Sequence, residues 1–401
     1  MSKNIVFCAD GTWNGPPQTT GASATEGEDN RGETSKLTNV AKLFANLAGD
    51  VTADTQALRN ERETLFGDPG GDSVQIAKYI HGVGDSADLL IKLLGGTFGT
   101  GVVARVVRGY TFVSRNYRSG DSIYLAGFSR GAYTARALAG MISSVGLLNP
   151  QAYDTSDKEL AYALGLSAWI QFRRQALKQA NLATRLANDL VSLAQRLKSK
   201  PLPADGLVAD IPIKAVAVWD TVGAMGIPLY AGTDRLDIFR FADQSLNAQV
   251  EYGFHAMAID ELRRDFPVTK WDERENVEQI WMIGAHSDVG GGYPTEECGL
   301  SNIGLGWIMH KLDKVGVRFT EPLRIALSPL SPAQSIHEPW SKPPFLGMRS
   351  AIRPLDKADL FHHSVLQRLD QVPEWKLPAV GDLSAQEIAA LRIDSAMYED
   401  A

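Results

Sequence analysis

Ser129 sits in Gly127-Phe-Ser129-Arg-Gly131, a G-x-S-x-G pattern. A serine hydroxyl is a poor nucleophile until a base removes its proton and a carboxylate orients that base. The chain holds seven histidines from which to draw the base. His286 ends the apolar run Val277–Ala285, and the pair His362/His363 near the C-terminus is the other candidate. His255 falls in a stretch that reads as helix, His310 on another, His337 in a polar loop, and His81 upstream of the serine. For the carboxylate, Asp220 follows the apolar run Val216–Trp219 and opens the turn Asp220-Thr-Val-Gly223. Its plain alternative is a turn residue capping the next helix. Together Ser129, His286 and Asp220 could break a carboxylic ester through an acyl-enzyme.

Two further aspartates border the same chemistry. Asp10, in Asp10-Gly-Thr12, ends the first strand and reads as a loop brace, with the N–H of Gly11 or Thr12 joining that of Arg130 to bind an oxyanion. Asp288 lies in His286-Ser-Asp288-Val-Gly-Gly-Gly292, where it either ties down the loop or ligates a metal. The three glycines let backbone pass close to the substrate or to the serine turn itself. A second reading follows: Asp10, Asp220, Asp288 and His286 as the ligands of a metal-dependent phosphoesterase. A third is a hydrolase-like fold kept as a binding module. The serine reading needs no cofactor or metal.

These residues require a scaffold that delivers strand ends to one place. Asn4–Ala9, Ser73–Gly82, Ser122–Ala126, Ile213–Trp219 and Gln279–Gly284 read as strands. Leu37–Leu47, Val102–Tyr117, the stretch from Gly131, Val250–Arg264 and Gly299–Val315 read as helices. The alternation predicts an α/β fold with a doubly wound, mainly parallel sheet, whose sites gather at the carboxyl ends of strands. A strand before Ser129 and a helix after it make a nucleophile elbow of α/β-hydrolase type, and serine, aspartate and histidine keep the order of that fold. Glycine is needed at 127 and 131 because the turn leaves no room for a Cβ.

Residues 154–203 form a helical block bounded by prolines, a cap insertion whose pattern favours packing over membrane contact. Polar residues 15–35 read as a surface loop, and Leu89–Thr100 as a flap or a buried connection. Residues 320–401 read as a segment wrapping a single domain that spans the chain.

The 401 residues carry a net charge of −7 and show no basic stripe, which argues against nucleic acid as a partner. No run of about 18 apolar residues predicts a spanning helix, and the N-terminus shows no signal-peptide segment. Cytoplasmic synthesis is expected, with signal-independent secretion open. Cys8 and Cys298 suit a reducing compartment.

Read together, ADGTWN, YIHGVG, GDSIYLAGFSRGAYTARALAG, AVWDTVG, FHAMAIDELRRDFP, IGAHSDVGGGY and GLSNIGLGWI resemble the α/β-hydrolase family that includes the type VI secretion phospholipase effectors of the first lipase class. The resemblance spans about residues 4–310, with an echo at His362-His-Ser-Val365. It implies Ser129 as nucleophile, Asp220 as acid and His286 as base. It also implies a small-molecule or lipid ester as substrate, with transient contact to a membrane surface. The effectors carry sizeable extra regions that meet membranes, whereas this chain has only the block 154–200 and a short tail.

Overall fold

The computed structural model describes residues 2–11, 36–50, 61–67, 73–81, 98–178, 202–222, 246–264, 266–341, 346 and 350–399. Thr12, the loop 15–35, Gly82–Gly84, residues 89–97 of the expected flap and residues 179–201 of the expected cap lie outside them. The strands in chain order are β1 (Asn4–Ala9), β2 (Arg62–Gly67), β3 (Ser73–Ile80), β4 (Ser122–Phe128), β5 (Leu147–Leu148), β6 (Leu207–Val208), β7 (Ile213–Trp219), β8 (Val250–Ala258), β9 (Val277–Met282), β10 (Leu360–His362) and β11 (Arg392–Asp394). Among the described residues, nine of them form one sheet in the order β11-β10-β9-β8-β7-β4-β1-β3-β2, while β5 and β6 pair separately. Every neighbouring pair in the large sheet is parallel except β2 with β3.

β1 and β4 end side by side, and the helix Asn39–Asn46 after β1 covers one face of the sheet while the helix Arg130–Val145 after β4 covers the other, so the winding reverses between them. In a doubly wound sheet that reversal is where ligands bind. Both faces are covered. The helices Phe98–Asn116, Arg130–Val145 and Lys158–Lys178 build a core on one face around Phe7, Tyr110, Leu138 and Trp169. The helices Asn39–Asn46 and Gly299–Lys314 cover the other, around Phe44, Tyr79, Trp219 and Trp307. Double coverage explains the continuous apolar runs of β1, β4 and β7, where one exposed face would have required alternation.

The same physics corrects one expectation. Val250–Arg264 reads as helix, yet Val250–Ala258 is strand β8, bonded between β7 and β9, and only irregular chain follows it. Buried on both faces, FHAMA shows no period-two pattern, and sheet pairing overrides the helix preference of Ala and Met. His255 therefore lies in a central strand. The C-terminal segment also does more than wrap. It adds β10 and β11 to the sheet edge and packs Phe361 and Val365 against Trp281 and Leu300.

Within the block 154–203, the helix Lys158–Lys178 sets Trp169 and Phe172 into the core it shares with β1 and β4. Among the described residues no helix is long and apolar enough to cross a membrane.

Candidate active site

β4 ends in a turn so tight that only glycine fits two residues before and two residues after Ser129. A Cβ on Gly127 would lie 2.3 Å from the Gly131 carbonyl oxygen, and one on Gly131 would lie 2.0 Å from that of Ala9. Ser129 itself is held at φ +56°, a left-handed conformation rare for residues with a Cβ. Immediately after it begins the helix Arg130–Val145, whose first N–H groups and dipole face the serine.

Three strand ends converge on this turn. His286 Nε2 lies 2.8 Å from Ser129 Oγ, and His286 Nδ1 lies 2.6 Å from Asp220 Oδ2. With Nδ1 protonated, the ring donates to Asp220 and its Nε2 accepts from the serine hydroxyl. The rings of Phe128 and Phe266 pack against the imidazole, with centroids 4.6 Å and 5.2 Å away. His286 opens a short helix, His286–Gly290, where a loop is expected, and its backbone N–H donates to Glu261 Oε2 at 3.2 Å. Burial lowers the pKa of His286 and outweighs the opposing attraction of Asp220.

Asp220, also at positive φ, is fully buried. Its Oδ1 accepts from the backbone N–H of Ala258 at 2.9 Å and from Arg353 Nη1 at 2.6 Å. Its Oδ2 accepts from His286 and from Arg353 Nη2 at 3.0 Å. Burial opposes the charge, but the Arg353 guanidinium and the bond from His286 hold this carboxyl well below the usual carboxylate range.

The remaining sequence candidates divide. Asp10 is buried beneath the site and braces it, accepting from the N–H of Gly11 at 2.6 Å, from Thr38 Oγ1 at 2.7 Å and from Tyr79 Oη at 2.6 Å. The Gly11 N–H is thereby committed to Asp10, which leaves the Arg130 N–H as the oxyanion candidate among the described residues. Asp288 accepts from the N–H of Ala285 and of His337 and pairs with His337 Nδ1 at 2.6 Å, tying down the His286 helix. Among the described residues no group of three or more His, Cys, Asp and Glu side chains is arranged to hold a metal.

His362 lies in β10 and accepts from the Ser364 N–H; burial lowers its pKa to about 4. His255 Nε2 accepts from the Thr221 N–H at 3.1 Å, and burial lowers its pKa to about 3. The glycine-rich loop passes close to the serine turn: a Cβ on Gly290 would lie 1.9 Å from the Phe128 ring.

Sequence reasoning missed Arg353, Glu261 and Phe266. Glu261 and Phe266 lie within the motif FHAMAIDELRRDFP, and Glu261 falls in the stretch Val250–Arg264 that reads as helix. Arg353 had no local signal at all.

A family model described as the catalytic domain of the type VI secretion, Tle1-like phospholipase effectors matches residues 3–311. The uncharacterized protein YEL023C of Saccharomyces cerevisiae is 26% identical over 283 residues, 66% of this chain and 32% of that relative. The chain thus spans about a third of the length of that curated relative. Among solved structures, the Tle1 effector bound to the VgrG spike of the type 6 secretion system is 17% identical, with 74% of this chain and 52% of that one covered and a TM-score of 0.34. An uncharacterized protein from Pseudomonas aeruginosa is 16% identical, with 81% and 48% covered and a TM-score of 0.37.

Proposed function

The chain belongs to the family of type VI secretion, Tle1-like phospholipase effectors, within its catalytic domain, and from that premise we propose that it is a serine hydrolase of carboxylic esters with lipase- or phospholipase-like substrates. The observation that carries the reading is the continuous relay from Ser129 Oγ through His286 to Asp220, with contacts of 2.8 Å and 2.6 Å. Distances of this size put the imidazole within reach of the serine proton without rearrangement. The mainly parallel sheet is, in this reading, of α/β-hydrolase type, and residues 154–203 are an insertion in it.

The chemistry follows from the placement. Ser129 Oγ bonds to the ester carbonyl carbon while its proton passes to His286 Nε2. Asp220 keeps the imidazole in the Nδ1–H tautomer and stabilises the imidazolium that forms. The Arg130 N–H binds the developing oxyanion at the helix N-terminus. His286 then protonates the leaving alkoxide. Water attacks the acyl-enzyme by the same relay and releases the carboxylic acid. The phenyl rings beside His286 exclude water and strengthen each of these interactions.

Asp10, Asp220 and Asp288 already accept hydrogen bonds from N–H and O–H donors of the protein, so no observation favours a metal-dependent phosphoesterase. The test compares wild type with Ser129→Ala on short p-nitrophenyl esters and on phospholipid vesicles, following release of nitrophenol and free fatty acid. Turnover by wild type and a loss of at least ~10³-fold in the variant are expected, because the members of such a relay act as a unit. Activity of Ser129→Ala within tenfold of wild type would overturn the assignment.

A further inference from the structure

We propose that Arg353 is the positioning residue of this site, holding the Asp220 carboxylate charged and aimed at His286; the proposal rests on the serine-hydrolase reading above. Arg353 lies beyond the residues that the family model matches, yet its guanidinium reaches the centre of the molecule and is itself buried. Nη1 and Nη2 grip both oxygens of Asp220 as a fork, at 2.6 Å and 3.0 Å. The same nitrogens donate to the carbonyls of Ala258 at 2.8 Å and Phe266 at 2.7 Å. The arginine thus joins the acid, the end of β8 and the loop whose Phe266 packs on the imidazole. Its own segment is pinned in turn, since Ala351 N–H donates to Leu262 O at 2.8 Å and Ser350 bridges Arg263.

The physical need is plain. A fully buried carboxylate facing a neutral imidazole has no charge to balance it, and burial alone favours its protonated form. A neutral Asp220 could neither select the productive tautomer nor stabilise the imidazolium. The bidentate fork supplies the missing charge and fills the lone-pair directions that His286 and Ala258 leave open. Other charged and titratable groups facing the pair are Glu261 and Arg263, which form their own buried ion pair, and His255 on β8.

The experiment measures kcat, KM and the pH dependence of ester turnover for wild type, Arg353→Met and Arg353→Lys, with fluorophosphonate labelling of Ser129 as the control. For Arg353→Met the expectation is a fall in kcat of about 10²-fold, the scale set by misplacing a reacting group, with KM little changed. The acid limb of the profile should also move to higher pH, because removing a positive charge raises the proton affinity of the coupled Asp220–His286 pair. Arg353→Lys keeps the charge and loses the fork, so its kcat falls while its acid limb stays near wild type.

Wild-type kcat in Arg353→Met, or a lowered kcat with an unmoved acid limb, overturns the proposal. Should Arg353→Met fail to fold, Arg353→Lys decides: full kcat overturns the proposal, and a reduced kcat with an unmoved limb supports it. A wild type that takes no label at Ser129 overturns the hydrolase reading and this proposal with it, and that result is read from the control alone.

Discussion

The behaviour of His286 decides how the site responds to pH. In the base role proposed above it must be neutral, and protonation would silence it. Burial lowers its pKa from the ordinary 6.5, despite the attraction of Asp220. The neutral form therefore persists into mildly acidic solution, and activity is lost only as pH falls through the lowered value. In a profile of kcat/KM against pH, which reports groups of the free enzyme, the acid limb is expected below pH 6.5. A midpoint above 6.5 would mean that the carboxylate outweighs burial, contrary to this account. At this scale much was legible in the sequence. Ser129, Asp220 and His286 each stand where an apolar strand gives way to a polar or glycine-containing turn, and strand ends meet in such sheets. Arg353 was not legible. Nothing in Ser-Ala-Ile-Arg-Pro tells a buried guanidinium from an exposed one, because its partner lies 133 residues away in the chain.

Elements were legible in proportion to how local their signal is. β1, β7 and the helix Gly299–Lys314 follow the pattern of their own residues. β8 does not, since a strand buried on both faces loses the alternation that marks strands, and only its neighbours fix it. The glycines show the same dependence on context. Gly290, in the short helix that carries His286, lies against the Phe128 ring, and that ring packs on the imidazole. Gly290→Ala must push Phe128 toward His286 or shift the helix. A fall in kcat of about 10²-fold is expected from displacing the base, together with a loss of stability of about 1–3 kcal/mol from overpacking. Kinetics and thermal melts of the purified variant check both. Wild-type kcat would show that the loop yields without moving His286.

Across the whole molecule, the site is assembled from parts distant in sequence: Ser129 after β4, Asp220 after β7, His286 after β9, and Arg353 from the segment before β10. The doubly wound topology brings the first three together, and the chain that follows β8 holds the fourth, through Leu262 and Arg263. In the proposed function one serine, Ser129, activated by His286 and Asp220, is the nucleophile. Mass spectrometry of fluorophosphonate-treated protein tests it most directly. One adduct is expected, on the peptide carrying Ser129, present in wild type and absent in Ser129→Ala and His286→Ala. An adduct on another residue, or equal labelling of Ser129 without His286, would contradict it.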